Sequence, residues 1–380
     1  MAGTLIAPCH AATLTVIHAF EGGDNDGDAP FGGPAMDKDG NLYGTTGLGG
    51  MRGAGTVFKV TPDGAETLLY SFQNGNDGAA PEAGVVLDRR GNLYGTTAFG
   101  GTYGMGTVYK IAPGGKETVL HRFEPGHDGS QPSASVILDN DGNLYGTTVV
   151  GGDHICDIKG QHQGCGTVFK VAPDGTESVL YSFRGGSDGY WPRAGLIADA
   201  QGNLYGTTPQ GGGADCKEKS GCGTVFKLSS GGTETILFAF NGKTGGGPYG
   251  NLITDHDGNL YGTTRAGGAF RKGTVFKLAP DGTETVLHSF NKADGAHPFA
   301  GVIMDSDGNL YGTTFNGGAF GRGVVFMLAP DGTETVLASL DKDSGDHPYG
   351  GVVRDAAGNL YGLASFDGQN GDGTLFEVTP

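Results

Sequence analysis

Basic residues are scarce in this sequence. It contains 24 Lys and Arg against 41 Asp and Glu, so its formal net charge is −17, and the basic residues form no dense run or stripe. Such a surface repels phosphate backbones and anionic headgroups, which excludes nucleic acid and anionic membranes as expected partners. No apolar run approaches the roughly 20 residues that a membrane-spanning helix needs, so we expect no membrane span.

Cysteine is also rare, with five residues in the chain. Four of them fall into two pairs by position: Cys156 and Cys165, and Cys216 and Cys222. One pair in each of two segments favours two local disulfides and an oxidising compartment. A zinc site in which His154 and His162 join the first pair is the alternative, although no CxxC spacing is present.

The N-terminus lacks the charged segment and the long apolar stretch of a complete signal peptide. Small residues near Ala12 nevertheless resemble a signal-peptidase site. We therefore expect residues 1–12 to be a signal-peptide remnant or a short disordered leader, and residues 13–380 to form one domain.

Glycine, by contrast, is abundant, with 76 residues that recur at fixed places in a repeat. The centre of the repeat is the hexapeptide NLYGTT at residues 41–46, which returns almost unchanged at intervals of 50 to 60 residues. Its tyrosine stands at Tyr43, Tyr94, Tyr145, Tyr205, Tyr261, Tyr311 and Tyr361. Seven copies at this period, if each is built from strands, indicate a propeller or a solenoid.

Each copy reads as four short strands, which we call A to D. In the second copy, residues 83–88, 92–97, 106–111 and 117–123 are rich in β-branched and aromatic residues and are separated by hairpin turns. Four strands in each of seven units predict an all-β, seven-bladed β-propeller of antiparallel blades. The last unit lacks strand D, so we expect the N-terminal segment 13–20 to complete that blade and close the ring.

The repeated core reads DGNLYGTT, then GG, then GTVFKV and PDGTETVLYSF, and it covers nearly the whole chain. In this core the chain resembles the choice-of-anchor tandem repeat proteins that carry the GloVer repeat. The resemblance implies a secreted or surface-attached bacterial protein, and it implies no established activity. A looser pattern of Pro, a short apolar strand and Asp-Gly-Asn is similar to NHL-type propellers and to streptogramin lyase, a seven-bladed enzyme.

The A-to-B turns offer one alternative site. Residues 37–41 and 139–143 carry paired aspartates that resemble the start of an EF-hand loop. Equivalent turns, such as 199–202, keep only the Asp and Gly that a turn needs. Turn formation is therefore favoured over calcium binding.

The loops from B to C and from D to A share one face, where they are long and variable. Each D-to-A loop ends in a proline at the mouth of the predicted channel. The residues just before it are Ala29, Ala80, Gln131, Trp191, Gly247, His297 and His347. The residues just after it are Phe31, Glu82, Ser133, Arg193, Tyr249, Phe299 and Tyr349. Because residues that differ at one structural position can build a site, this ring is the functional candidate.

An imidazole can act as acid, base or metal ligand near neutral pH, and a guanidinium can bind a carboxylate through two hydrogen bonds. We assign His297, His347, Arg193 and Tyr349 as candidate catalytic residues. Candidate substrate-binding residues are Trp191, Tyr190, Glu82, Gln131, Tyr249, Phe299 and Arg265. Two alternatives remain open: the histidines only hold neighbouring loops, or they bind a divalent metal with Asp346 or Glu82.

These residues favour a secreted carbohydrate-active enzyme, a lyase or hydrolase of an acidic saccharide. The alternative is a module that binds glycan or protein with the same face and performs no chemistry. We expect no obligatory cofactor, although a divalent metal is possible, and we expect a monomer. The expected location is outside the cell, on the bacterial surface or in the periplasm.

Overall fold

The computed structural model describes residues 12–158, 161–213, 216 and 221–380, without the side chains of residues 157, 158, 161 and 162. These residues form seven four-stranded antiparallel sheets, each with the order A, B, C, D. The arrangement confirms the predicted seven-bladed propeller. The expected leader, residues 1–11, lies outside the described part of the chain, so that expectation stays a prediction.

Strands A and B lie at the inner side of each blade. Strand A spans Ala35–Met36, Val86–Leu87, Ile137–Leu138, Ile197–Ala198, Ile253–Thr254, Ile303–Met304 and Val353–Arg354. Strand B spans Leu42–Thr46, Leu93–Thr97, Leu144–Thr148, Leu204–Thr208, Leu260–Thr264, Leu310–Thr314 and Leu360–Ala364. Strand A is thus two residues long, shorter than the six predicted.

Strands C and D complete each blade. Strand C spans Thr56–Val60, Thr107–Ile111, Thr167–Val171, Thr224–Leu228, Thr274–Leu278, Val324–Leu328 and Thr374–Thr379. Strand D spans Glu66–Ser71, Glu117–Arg122, Glu177–Ser182, Glu234–Ala239, Glu284–Ser289, Glu334–Ser339 and, for blade 7, Thr13–Ala19. Outside the blades lie two two-stranded ribbons and one 3-10 turn: Gly27–Asp28 with Leu48–Gly49, Ile155–Ile158 with Gln161–Gly164, and Gly186–Asp188.

The ring closes as predicted. Strand Thr13–Ala19 pairs antiparallel with Thr374–Thr379, so that Thr13 faces Thr379 and Ala19 faces Thr374. Phe20 follows this strand and is fully buried. Its ring packs edge-on against Phe58 of blade 1, with 5.0 Å between centroids. An aromatic pair of this kind joins blade 7 to blade 1 and adds to the backbone ladder.

The same packing explains the glycine of the repeat. Each NLYGTT glycine sits over the strand C aromatic ring of its own blade. A Cβ on Gly44 would lie 2.5 Å from the ring of Phe58, and a Cβ on Gly95 would lie 2.5 Å from the hydroxyl of Tyr109. Any other residue would displace a fully buried ring.

The other residues of the repeat close a turn and join neighbouring blades. Asp37 accepts hydrogen bonds from the backbone of Asp39 and Asn41 and from the side chains of Asn41 and Tyr43, at 2.7–3.0 Å. Both carboxylate oxygens are thus used by the turn itself. The first threonine of the motif reaches the next blade: Thr45 Oγ1 donates to the carbonyl of Ala83 over 2.8 Å.

Candidate functional site

The channel is narrow because neighbouring blades approach backbone to backbone just before strand A. A Cβ on Gly250 would lie 2.3 Å from the amide nitrogen of Gly301, and one on Gly301 would lie 2.1 Å from the carbonyl oxygen of Asn251. Small residues are therefore required at these positions. The paired part of strand A is short because this inner segment lies against the next blade.

A cavity of about 670 Å³ occupies this channel. Its wall includes the whole ring of residues that follow the loop prolines: Phe31, Glu82, Ser133, Arg193, Tyr249, Phe299 and Tyr349. The structure therefore brings five predicted site residues to one cavity. The other predicted residues lie outside its wall: His297, His347, Trp191, Tyr190, Gln131 and Arg265.

One half of the ring is aromatic. Tyr249, Phe299, Tyr349 and Phe31 come from blades 5, 6, 7 and 1, and successive ring centroids are 5.3, 5.1 and 5.3 Å apart. We call these four residues the aromatic arc. Phe315, from a B-to-C loop, packs behind it at 5.0 Å from Phe299 and 4.7 Å from Tyr349. The contact fixes the orientation of both rings.

The other half of the ring, from blades 2, 3 and 4, is polar. It consists of half-buried Glu82, Ser133 and exposed Arg193. Asn251 supports this half, because its Oδ1 accepts a 2.6 Å hydrogen bond from the amide of Gly195. Aromatic and charged groups thus face one another across the channel, which is the composition of a site for an amphipathic ligand.

Arg265 brings a positive charge to the aromatic side. Its guanidinium lies 5.1 Å from the centroid of Phe299 and 6.0 Å from that of Tyr249, so it stacks on the arc. Burial raises the pKa of the Tyr349 hydroxyl, the charge of Arg265 counteracts that rise, and the charge of Glu82 adds to it. Tyr349 is therefore a neutral hydrogen-bond donor at physiological pH.

The residues before the loop prolines share one backbone conformation. In all seven, Gly247 included, φ lies between 53° and 63°. Their amides donate to the preceding blade's B-to-C loop, as His297 does to Lys272 over 2.7 Å. This left-handed conformation recurs in every blade, so it belongs to the joint between blades and does not by itself mark a site.

His297 has one ring nitrogen occupied. Its Nδ1 lies 2.9 Å from the carbonyl oxygen of Arg265, which can only accept, so Nδ1 carries the proton. No other described residue forms a hydrogen bond with this ring. In the neutral tautomer Nε2 keeps its lone pair, as a general base requires.

His347 is held more tightly. Its Nε2 lies 3.0 Å from the side-chain nitrogen Nδ2 of Asn316, and its Nδ1 lies 2.7 Å from Asp346 Oδ1. The centroid of its ring lies 4.1 Å from that of Phe315. Arg322 pairs with Asp346 over 2.9 Å and also with Asp367. Both nitrogens of His347 therefore face partners, which is the loop-holding arrangement.

The tryptophan stands beside a disulfide. Cys156 and Cys165 are joined, and Trp191 packs against the cluster that contains both, while its amide donates to the carbonyl of Cys165. Tyr190 is buried beside it, with its hydroxyl 3.3 Å from Gln210 Oε1. This group packs together in the loops of blades 3 and 4, outside the cavity wall.

A second disulfide joins Cys216 and Cys222, so both predicted disulfides are confirmed. The pairing of Cys156 with Cys165 replaces the zinc alternative for that loop. The side chain of His162, a ligand in that alternative, lies outside the described residues. At the channel mouth, no three described His, Cys, Asp or Glu ligand atoms lie within 4.8 Å of one another.

Sequence reasoning missed Phe315, Asn316 and Asn251. The sequence did contain a signal for Phe315, at the position that follows NLYGTT in each copy. Most copies have a small or aliphatic residue there, whereas blade 5 has Arg265 and blade 6 has Phe315. Asn251 had no comparable signal, because its role depends on its contact with blade 4.

The repeat decides the family. The family model named Gloeobacter/Verrucomicrobia repeat matches residues 3–218 and 215–380. The chain belongs to the Gloeobacter/Verrucomicrobia repeat family. This Gloeobacter/Verrucomicrobia repeat protein matches no curated protein. No helix among the described residues is long and apolar enough to cross a membrane.

Solved structures resemble the Gloeobacter/Verrucomicrobia repeat protein in fold. One is the extracellular domain of a protein from B. thetaiotaomicron assigned as a hybrid two-component system; it is 11% identical with a TM-score of 0.58, and the match covers 94% of this chain and 39% of that chain. Another is a protein from Bacteroides uniformis assigned as a 6-phosphogluconolactonase; it is 16% identical with a TM-score of 0.50, and the match covers 80% of this chain and 82% of that chain. A gluconolactonase from Xanthomonas campestris is 14% identical with a TM-score of 0.48, and the match covers 97% of this chain and 89% of that chain. At these identities the similarity concerns the fold alone.

Proposed function

We propose that this protein binds a saccharide carrying a carboxylate at the mouth of its channel. The observation that carries the proposal is the division of the ring into an aromatic arc and a polar half. Sugars present apolar C–H faces that stack on aromatic rings, while their hydroxyl and carboxylate groups need hydrogen-bond partners. The cavity of about 670 Å³ has the size of a site for a small ligand.

The charges at the mouth favour an acidic sugar. Arg193 projects from the polar half, and Arg265 lies over the aromatic arc. A guanidinium binds a carboxylate through two parallel hydrogen bonds. The cavity wall carries one acidic residue, Glu82, and one basic residue, Arg193, so Arg265 beside it gives this place a positive balance in an otherwise acidic protein.

The binding test compares acidic and neutral oligosaccharides by isothermal titration calorimetry. Tyr349→Ala should weaken binding of both classes, because it removes one of the two inner rings of the arc. Arg193→Gln should weaken binding of the acidic class about 10-fold to 100-fold, the effect of one charge-assisted hydrogen bond or a pair of them. Arg271→Gln, on an exposed loop of the same face, is the matched control. Equal affinities of Arg193→Gln and wild type for the acidic class would contradict the proposal.

A specific observation also favours catalysis. His297 has Nδ1 fixed as a donor and Nε2 left as a base, on a loop at the rim of this site. We propose β-elimination from, or hydrolysis of, the bound acidic saccharide. In elimination His297 takes the proton from the carbon next to the carboxylate, the C–O bond to the leaving sugar breaks, and water protonates the leaving oxygen. In hydrolysis His297 takes a proton from the attacking water, and the leaving oxygen is again protonated by water. For elimination, Arg193 neutralises the sugar carboxylate and so makes the neighbouring C–H more acidic.

Turnover is measured by absorbance of unsaturated products and by new reducing ends. His297→Gln should abolish turnover while binding persists, and His347→Gln should have a smaller effect because both nitrogens of His347 already face partners. Full turnover in His297→Gln would remove it as the base. Binding without turnover on any acidic saccharide would leave the non-catalytic module.

The two disulfides are compatible with an extracellular or periplasmic protein. We include secretion in the proposal, together with a monomeric state, which size-exclusion chromatography with light scattering tests directly.

A further inference from the structure

A repeated set of three side chains lies between neighbouring blades, away from the channel. The first member comes from strand D of one blade, and the second comes from the loop after that strand. The third is the first residue of strand D in the next blade. Three of these places hold a histidine, an aspartate and a glutamate. In one of them, formed by His18, Asp26 and Glu66, the ligand atoms do not all lie within 4.8 Å of one another. In the other two they do: His121, Asp128 and Glu177, and His288, Asp294 and Glu334. We call them the inter-blade triads.

The ligand atoms of each triad converge. His121 Nε2 lies 3.0 Å from Asp128 Oδ2, and His288 Nε2 lies 3.2 Å from Asp294 Oδ2. In both triads one atom of each residue lies within 4.8 Å of the other two. Ligands about 2.0–2.2 Å from one metal ion stand about 3–4 Å apart, and the histidine–aspartate pairs already have this spacing.

Each triad also contains a carboxylate oxygen that has no hydrogen-bond partner among the described residues. Glu177 and Glu334 each have a buried Oε1 of this kind, as do the strand D glutamates of four other blades, so the free oxygen is a property of the repeat. The histidine sets the two triads apart, because it adds a ring nitrogen within 4.8 Å of both carboxylates.

In two other blades a tyrosine stands at the position of the histidine and hydrogen-bonds the aspartate. Tyr181 occupies the position of the histidine in blade 4, and its hydroxyl donates to Asp188 over 2.7 Å. Tyr70 donates to Asp77 in the same way over 3.1 Å. A tyrosine supplies a proton and is a poor ligand, whereas a histidine supplies a lone pair. A tyrosine at this position therefore gives a hydrogen bond between the blades, whereas a histidine gives a set of three metal-ligand side chains.

We propose that the two inter-blade triads bind divalent transition-metal ions, each through one imidazole and two carboxylates. This ligand set fits Zn²⁺ and its neighbours better than Ca²⁺, which prefers oxygen ligands alone. Each ion would join blade 2 to blade 3, or blade 5 to blade 6. Because the ligands come from two blades, binding stabilises the folded ring by mass action.

The experiment titrates chelator-treated protein with Zn²⁺ by calorimetry and records the thermal midpoint with and without the ion. Wild type should bind two equivalents in the triads and gain thermal stability. His121→Tyr and His288→Phe should each lose one equivalent. Both replacements copy residues found at this position in other blades, so the joint keeps its packing.

The matched control is His127→Tyr, which changes an exposed histidine near the first triad and should keep both equivalents. Tyr70→His should add a third equivalent, because Asp77 and Glu117 already stand in place. An absence of zinc binding in wild type, or two equivalents retained by the double variant of His121→Tyr and His288→Phe, would overturn the proposal. These readouts do not depend on saccharide binding or turnover.

Discussion

Single residues explain why the repeat motif is so regular. In NLYGTT the asparagine and tyrosine bond to the turn aspartate, the glycine makes room for a ring, and the first threonine reaches the next blade. The most prominent feature of the sequence therefore builds the frame. Function has to be sought in residues that differ between copies.

The threonine contact gives the first prediction. Thr147 Oγ1 donates to the buried carbonyl of Ala194 over 3.1 Å, next to Arg193. Thr147→Val keeps the shape but leaves that carbonyl without its donor, so we expect a loss of about 1–3 kcal/mol in the free energy of unfolding. Urea denaturation measures it. Thr285→Val, at an exposed position of strand D, is the control. Equal losses in both variants would contradict this role.

The strand D glutamates give a prediction on pH. Burial raises the pKa of Glu284 from 4.5 to about 7 in the folded protein. The folded state therefore favours the protonated form. The contribution to stability is complete below about pH 4.5 and is lost as the pH rises to about 7. Glu284→Gln, which resembles the protonated acid, should lower the loss of unfolding free energy between pH 5 and pH 8.

Denaturation at several pH values in the presence of chelator tests this. The exposed Glu21, changed to Gln, should keep the wild-type profile. If Glu284→Gln has the same pH profile as wild type, burial of this carboxyl does not govern the alkaline loss of stability.

At the scale of elements, the strands were predictable and their contacts were not. Alternating apolar residues and turn glycines placed strands B, C and D of the second blade to within one or two residues. Strand A was overestimated, because its first residues lie against the next blade and not against strand B. Sequence periodicity describes pairing within a blade and carries no information on contacts between blades.

The candidate site shows the same division. The ring after the loop prolines was predictable because the proline fixes its place in every copy. The order of the blades then predicts that the four aromatic residues of that ring are neighbours, which is the aromatic arc. That Asn316 covers one nitrogen of His347 was not predictable, since the contact joins residues of two blades through loop conformation.

The first disulfide gives a prediction at this scale. Trp191 is the only tryptophan in the sequence and packs on the Cys156 and Cys165 cluster. Replacing both cysteines by serine should loosen the packing around Trp191 and shift tryptophan emission to longer wavelength. Replacing Cys216 and Cys222 by serine is the control, because Cys222 packs in a different cluster. An unchanged spectrum in the first variant would show that the packing around Trp191 does not depend on the disulfide.

At the scale of the whole molecule, the two faces of the ring differ. Every large apolar side chain that is strongly exposed among the described residues lies in a B-to-C loop: Leu48, Met51, Phe99, Tyr103, Ile155, Phe270, Phe320 and Phe366. The opposite face carries the short Asp-rich turns. Exposed apolar groups gathered on one face mark it as the interaction face, in agreement with the position of the channel mouth.

Ring closure gives the last prediction. Deleting residues 1–20 removes strand D of blade 7 and the buried ring of Phe20, and it leaves Thr374–Thr379 as an open edge. We expect a lower thermal midpoint and self-association through that edge. Differential scanning calorimetry and light scattering measure the two effects. Deleting residues 1–11 leaves the strand in place and should change neither; a monomer as stable as wild type after the longer deletion would contradict the role of closure.

The split blade also determines an order of events during synthesis. Thr13–Ala19 is synthesised before every other strand of the ring, whereas its partner strand Thr374–Thr379 is synthesised after all of them. Blades 1 to 6 can assemble from neighbouring segments as they emerge, whereas blade 7 must bring together distant parts of the chain, which is the slow kind of contact. Until then the first strand remains an unpaired, aggregation-prone segment. Expression yield should therefore depend on how long that strand is protected, a property set by the cell as much as by the sequence.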